Sequence, residues 1–408
     1  MTVETPPPSP LGSRLTLAAD RIVTVAGEEF APGWVEIAGD RVVAVGRGCA
    51  EGAHPVPVSG TIVPGFVDIH AHGALGHDFV SADAAGIQAI RDHHLRRGTT
   101  MLMATVATAP LEALLERLRF LRPFVAEGLL AGVHLEGPYL APERRGAHDP
   151  ALLRHPDVGE IRELLAEAAG TLRMLTLAPE LPGAARAVEL LTEADVVVAV
   201  GHTACTSDQA TAAFNRGARV LTHAFNGMPP LHHREAGPLG AAMVDDRVTL
   251  ELILDSHHVG TEAAELLRRV ADRRLALVSD AMAATGLGDG SYRVAGSAVV
   301  VRDGIATLAD GSSLAGSTIT IADGFTRLRH VHGASWADAV AASALTPPHA
   351  VGLGGSGLRA GDRADLVVLR AGRVAGVMLA GRWIVAPATA EPARPAAPAP
   401  SGRSRPAG

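Results

Sequence analysis

Apolar residues are distributed in two textures along the 408-residue chain. From Leu15 the text "LTLAADRIVTVAGEEFAPGWVEIAGDRVVAVGRG" alternates apolar with polar residues and is broken by Gly and Asp turns, the pattern of half-buried strands. The same texture returns in "DRADLVVLRAGRVAGVMLAGRWIV", from Asp362 to Val385. The two pieces, 14–63 and 362–386, are expected to pair into one small β-sandwich domain. The middle of the chain, 64–361, reads differently. Eight short, nearly continuous apolar runs begin at Phe66 ("FVDIHAH"), Thr99 ("TTMLMAT"), Leu130 ("LAGVHLEG"), Leu172 ("LRMLTLAPE"), Val196 ("VVVAVGHT"), Val220 ("VLTHAFN"), Thr249 ("TLELILD") and Leu275 ("LALVSDA"). Stretches with helical spacing, such as "PALLRHPDVGEIRELLAEAAG", separate them. Strands without alternation are buried on both faces, as in parallel sheets. Eight strand–helix repeats predict a (β/α)8 TIM-like barrel, with a doubly wound open sheet as the alternative. After the eighth run, "GLGDGSYRVAGSAVVVRDGIATLADGSSLAGS" predicts a β-hairpin excursion and a loop, followed by helix from Ile319. The Pro/Ser-rich segment 1–13 is expected to be loose. The Pro/Ala-rich tail 387–408 is expected to be disordered.

Composition narrows the class. A hydrophobic fraction of 47% supports a large core, and a net charge of −7 with no basic run argues against nucleic acid as a partner. No apolar stretch reaches the length of a membrane span, and the N-terminal text lacks a signal-peptide layout, so a cytoplasmic protein is expected. Cys49 and Cys205 alone indicate no disulfide framework.

The 18 histidines matter more by place than by number. The first barrel run ends in His70-Ala71-His72, and residues i and i+2 of a strand point to one side. Two converging imidazoles are either hydrogen-bonded core groups or metal ligands. The other runs decide between these. Glu136 ends the third run, His202 the fifth, Asp255 the seventh and Asp280 the eighth, and His223 sits in the sixth. In a barrel of this type the C-terminal strand ends surround the active site. His70, His72, Glu136, His202, His223 and Asp280 exceed the needs of one tetrahedral ion, so the site could hold one or two divalent ions, with Glu136 bridging. Nitrogen and carboxylate donors without thiolate fit Zn²⁺, with Fe²⁺, Mn²⁺ or Co²⁺ as further candidates.

In order along the chain, "HLEGPYLAPERRGAHD", "VGHT", "THAFNGMPPLHHREAG", "DSHHV", "VSDAMAATG" and "LAGS" resemble the N-acetylglucosamine-6-phosphate deacetylase family of the amidohydrolase superfamily. The resemblance implies hydrolysis of the acetamide of an amino-sugar phosphate, with Asp280 as general base and then acid. It implies that His148 contacts the substrate carbonyl. Phosphate recognition is expected from Arg234 first, whose guanidinium suits phosphate oxygens, then from His258 and from backbone donors near Asn226-Gly227. Ala147 and the loop Leu314, Ala315, Gly316 and Ser317 are expected to border the sugar. The family further implies a homodimer in which part of the phosphate contact crosses the interface. Alternatives are another N-acetylhexosamine phosphate, such as N-acetylgalactosamine 6-phosphate, or a non-catalytic sugar-phosphate-binding barrel.

Overall fold

A computed structural model describes residues 14–50, 54–294 and 297–387. The segment expected to be loose, 1–13, and all but Pro387 of the Pro/Ala-rich tail lie outside these residues.

The two alternating pieces form one eight-stranded mixed sheet. Strand Val56–Pro64 joins them: it pairs parallel with Arg14–Val23 and antiparallel with Leu366–Arg370. Because that strand hydrogen-bonds to both sides, the two pieces make one continuous sheet, as the shared texture predicted. The sheet folds around Leu17, Ile22, Val35, Ile37, Ile62, Val368 and Met378 until its far turns meet. Val42 N–H donates to Asp362 and Ala364 N–H to Asp40 across that junction. Gly381 is required there, since φ is +74° and a Cβ would collide with the Gly39 carbonyl.

The middle of the chain forms a second, parallel eight-stranded sheet. Its strands are β1 (Phe66–Asp68), β2 (Thr99–Ala107), β3 (Gly132–Glu136), β4 (Leu172–Leu177), β5 (Val197–Val200), β6 (Val220–Leu221), β7 (Thr249–Ile253) and β8 (Leu275–Val278), paired in sequence order. A helix follows each, from Ala84–Arg96 after β1 to Ile321–His330 after β8. Side chains facing the helices join the largest apolar cluster, while Val67, Ile69, Met103, Met174, Ala199, Val220, Ile253 and Val278 pack together as a second cluster that plugs the barrel. The ladder is nearly closed. Between β8 and β1 the closure passes through a side chain: the buried Asp68 carboxylate accepts from the Ser279 amide and hydroxyl. One residue on, Asp280 N–H donates to the His70 carbonyl at 2.9 Å.

The excursion after β8 is a three-stranded antiparallel sheet, Gly290–Val294, Ser297–Arg302 and Ile305–Leu308. Val299, Val301, Ala306 and Leu308 pack it onto Met282 and Ala315 beside the barrel mouth.

Candidate metal centre

The polar side chains expected at strand ends lie just beyond the ladders. β1 ends at Asp68, and His70 follows two positions on; β5 ends at Val200 before His202, β6 at Leu221 before His223, β7 at Ile253 before Asp255, and β8 at Val278 before Asp280. Glu136 is the last residue of β3. His70 and His72 are therefore not strand residues as their spacing suggests. Pairing with β2 stops at Asp68, and the backbone beyond is held by the Thr105 hydroxyl and the Ala281 carbonyl. His202, His223 and Asp280 have φ of 46°, 25° and 48°. That left-handed backbone costs a non-glycine residue about 1–3 kcal/mol, and such conformations gather at functional sites.

The donors converge on one carboxylate. Glu136 Oε1 lies 3.1 Å from His202 Nε2, 3.3 Å from His223 Nε2 and 3.4 Å from His70 Nε2. Glu136 Oε2 lies 3.2 Å from both His72 Nε2 and His148 Nε2. Asp280 Oδ1 lies 3.2 Å from His72 Nε2 and 3.6 Å from His70 Nε2. All are buried. His202 and His223 face each other through their Nε2 atoms at 3.0 Å. His202 Nδ1–H donates to the Arg144 carbonyl at 2.8 Å, which leaves its Nε2 lone pair directed at the cluster. His70 Nε2 is buried without a hydrogen-bond partner. A tetrahedral ion with bonds of about 2.0–2.1 Å keeps its ligand atoms roughly 3.3 Å apart, so the donor set fits divalent cations.

Electrostatics point the same way. Burial alone depresses the imidazole of His70, but Glu251 and Glu136 outweigh it and hold its pKa well above the ordinary value. Burial likewise opposes protonation of His72, yet Asp280 and Glu136 raise its pKa to about 9. Burial pushes the Glu136 carboxyl up, but His70, His202 and His148 hold it well below the usual range. His148 differs: burial prevails over the pull of Glu136 and lowers its pKa, which keeps the ring neutral.

Above the cluster opens a cavity of about 260 Å³, lined among others by His148, Ala147, Asn226, Gly227, His258, Leu314, Ala315 and Gly316. His258 lines it as well: burial opposes its charge, but Asp255, whose Oδ2 lies 2.7 Å from His258 Nδ1, raises its pKa. Two expected substrate contacts lie elsewhere. The Ser317 hydroxyl donates to the Ser279 carbonyl and its amide to the Asp280 carbonyl, so Ser317 braces the end of β8 without reaching the cavity. Arg234 is exposed outside the cavity, with Nη1 2.9 Å from His233 Nε2. Met282, Ile253 and Ala107 line the cavity and were not anticipated. Glu251, fully buried beside His70, was also missed; its one signal was a carboxylate inside the apolar run "TLELILD".

The Amidohydrolase family model matches residues 61–384. The chain belongs to the amidohydrolase family. This amidohydrolase is similar to the N-acetyl-D-glucosamine-6-phosphate deacetylase of Mycobacterium smegmatis, a variant of which was solved in complex with N-acetyl-D-glucosamine 6-phosphate. The identity is 43% and the TM-score 0.90, covering 92% of this chain and all of that one. It is 36% identical to the N-acetylgalactosamine-6-phosphate deacetylase of Escherichia coli O157:H7, over 83% of this chain and 92% of that protein. It is 34% identical to the N-acetylglucosamine-6-phosphate deacetylase of Bacillus subtilis, over 69% and 73%.

Proposed function

We propose that this amidohydrolase removes the acetyl group of N-acetyl-D-glucosamine 6-phosphate, yielding D-glucosamine 6-phosphate and acetate in amino-sugar catabolism or recycling. The observation that carries the reading is the match, over the whole length of the solved chain, to the M. smegmatis deacetylase. The donor set suits zinc first, with iron, manganese or cobalt as alternatives, at one or two ions per subunit. His70, His72, Glu136, His202, His223 and Asp280 would hold them, and such an ion supplies an activated water nucleophile and polarises the amide carbonyl.

The remaining steps belong to the chain's own groups. Asp280 takes the proton from the attacking water and returns it to the departing nitrogen. The carboxylate suits this: burial raises its pKa, but His72 and His70 more than offset that, leaving it ionised at neutral pH. His148, which borders the cavity, contacts the substrate carbonyl. The His258 ring, held by Asp255, and the amides near Asn226-Gly227 receive the phosphate. Ala147 and the turn at Leu314, Ala315 and Gly316 border the sugar. Arg234, exposed on its own subunit, serves a neighbouring cavity in a homodimer. The protein works in the cytoplasm; among the described residues no helix is long and apolar enough to cross a membrane.

The E. coli relative favours a second reading, in which the substrate is the galacto epimer. Acetate release from the metal-loaded protein separates the readings. We expect fast release from N-acetylglucosamine 6-phosphate, less from N-acetylgalactosamine 6-phosphate, and little from unphosphorylated N-acetylglucosamine. Preference for the galacto epimer would select the second reading; equal rates with and without phosphate would remove His258 and Arg234 from substrate recognition.

A further inference from the structure

The centre contains a third buried carboxylate that faces no cavity. Glu251 lies within β7, completely buried, with its side chain inside the barrel. One oxygen, Oε2, serves two distant elements. It accepts from His70 Nδ1 at 3.0 Å, beyond β1, and from the His223 backbone amide at 3.1 Å, beyond β6. The other oxygen, Oε1, has no hydrogen-bond partner. Its backbone carbonyl accepts from Ala224 N–H at 2.8 Å, so β7 grips the His223 turn twice.

A carboxylate is rarely buried without a partner that holds it. The barrel interior is otherwise Val, Ile, Met and Ala, with a separate hydrogen-bonded chain of Thr105, His134, Thr176 and Thr222, and packing alone gives Glu251 no role there. The contact with His70 does have a consequence. With its Nδ1–H donated to Glu251, His70 has only Nε2 left to offer an ion, and that is the atom without a hydrogen-bond partner between Glu136 and Asp280. A carboxylate behind an imidazole also makes the ring a stronger ligand, and loss of such a partner typically weakens metal binding 10–100-fold. His72, which shares this side of the cluster, has no comparable support behind its ring; its contacts are Glu136 and Asp280 themselves.

We infer that Glu251 is the positioning residue for His70, and that the ion position formed by His70 and His72 depends on its side chain, while the position formed by Glu136, His202 and His223 does not, because the His223 turn keeps the main-chain bond from Ala224 N–H to the residue 251 carbonyl. This rests on the metal-centre reading above. The inference explains why a carboxylate stands between Leu250 and Leu252 of β7. It also assigns the two ions to differently supported halves of one centre.

Cobalt titration of the metal-free protein tests it, read by the visible absorption of the bound ion and by elemental analysis, with no appeal to turnover. The parent protein is expected to take up two equivalents. In Glu251→Gln one equivalent should bind 10–100-fold more weakly and the other within about twofold of the parent. In a His70→Asn background, which lacks the ring that Glu251 supports, adding Glu251→Gln should change the remaining ion's affinity by less than about twofold. A single equivalent in the parent would overturn the two-ion reading and this inference with it. Two unchanged equivalents in Glu251→Gln would overturn the inference alone, as would equal weakening of both ions or a further loss in the His70→Asn background. If Glu251→Gln does not fold, Glu251→Asp keeps the charge but withdraws the acceptor from His70; the same selective weakening is expected, and its absence overturns the inference.

Discussion

On the proposed function two demands meet at Asp280, which lies within reach of His72 and His70 to act as a ligand and borders the cavity where a base would act. Its backbone is fixed on both sides, by the His70 carbonyl and the Ser317 amide, so a substitution there is expected to leave the centre in place. Asp280→Asn should retain metal by elemental analysis yet lose turnover by roughly 10²–10⁴-fold, the usual worth of a positioned proton-transfer group. Near-parental acetate release would remove the residue from proton transfer. Histidines and carboxylates at the ends of apolar strands were legible because such groups have few uses in a core without partners. Glu251 was not, because a polar residue at the third place of "TLELILD" reads equally as the solvent face of an alternating strand. Ser317 shows the converse limit: its motif marks the right loop, but the direction of one hydroxyl depends on the turn that carries it.

The element with the weakest joint is the seam between β8 and β1, where Asp68 and Ser279 replace a continuous ladder. Asp68→Ala orphans a hydroxyl and two amides in the core and should destabilise the protein by about 2–4 kcal/mol. Denaturant midpoints measured in chelator, so that ion loss is held constant, read this directly; Asp68→Asn, which keeps an acceptor, should recover part of it. The existence of all eight strands could be read from the apolar runs, and their pairing in sequence order decides for the barrel over the doubly wound sheet that the same runs allow. Their ends could not be read there. "FVDIHAH" stops being strand at Asp68 because its next partners are a side-chain hydroxyl on β2 and the backbone beyond β8. Contacts so distant in sequence leave no mark in local periodicity.

For the whole molecule, acid and ion supply set the working range. His94, buried on the first barrel helix, has its imidazole pushed down to about 4 by burial, the Gly73 carbonyl and neighbouring His93 modifying the effect. The fold therefore holds the ring neutral while the unfolded chain, titrating near 6.5, takes up a proton. Stability from this group is complete above pH 6.5 and is lost as pH falls toward 4. Between pH 7 and pH 5 the loss should be about 2 kcal/mol, and urea midpoints should converge when His94→Gln removes the titrating ring. Removing the ions acts on the same balance, because they bind the assembled centre and not the unfolded chain. Chelation should lower the melting temperature, by the equivalent of about 3–4 kcal/mol when the free ion had stood at 100–1,000 times its Kd; an unchanged transition would separate the ions from the folded state.

The two-residue offset between the last paired residue of β1, β5, β6, β7 and β8 and the polar side chain beyond it carries a consequence for design. Those polar side chains sit beyond the ladders, while the residues that set barrel register lie two positions earlier, within them. Exchanging the former alters which ion or substrate is accepted and leaves strand alignment untouched. Such a scaffold can be re-tooled one socket at a time, with Glu136, anchored inside β3, as the fixed pin around which new chemistries would be built.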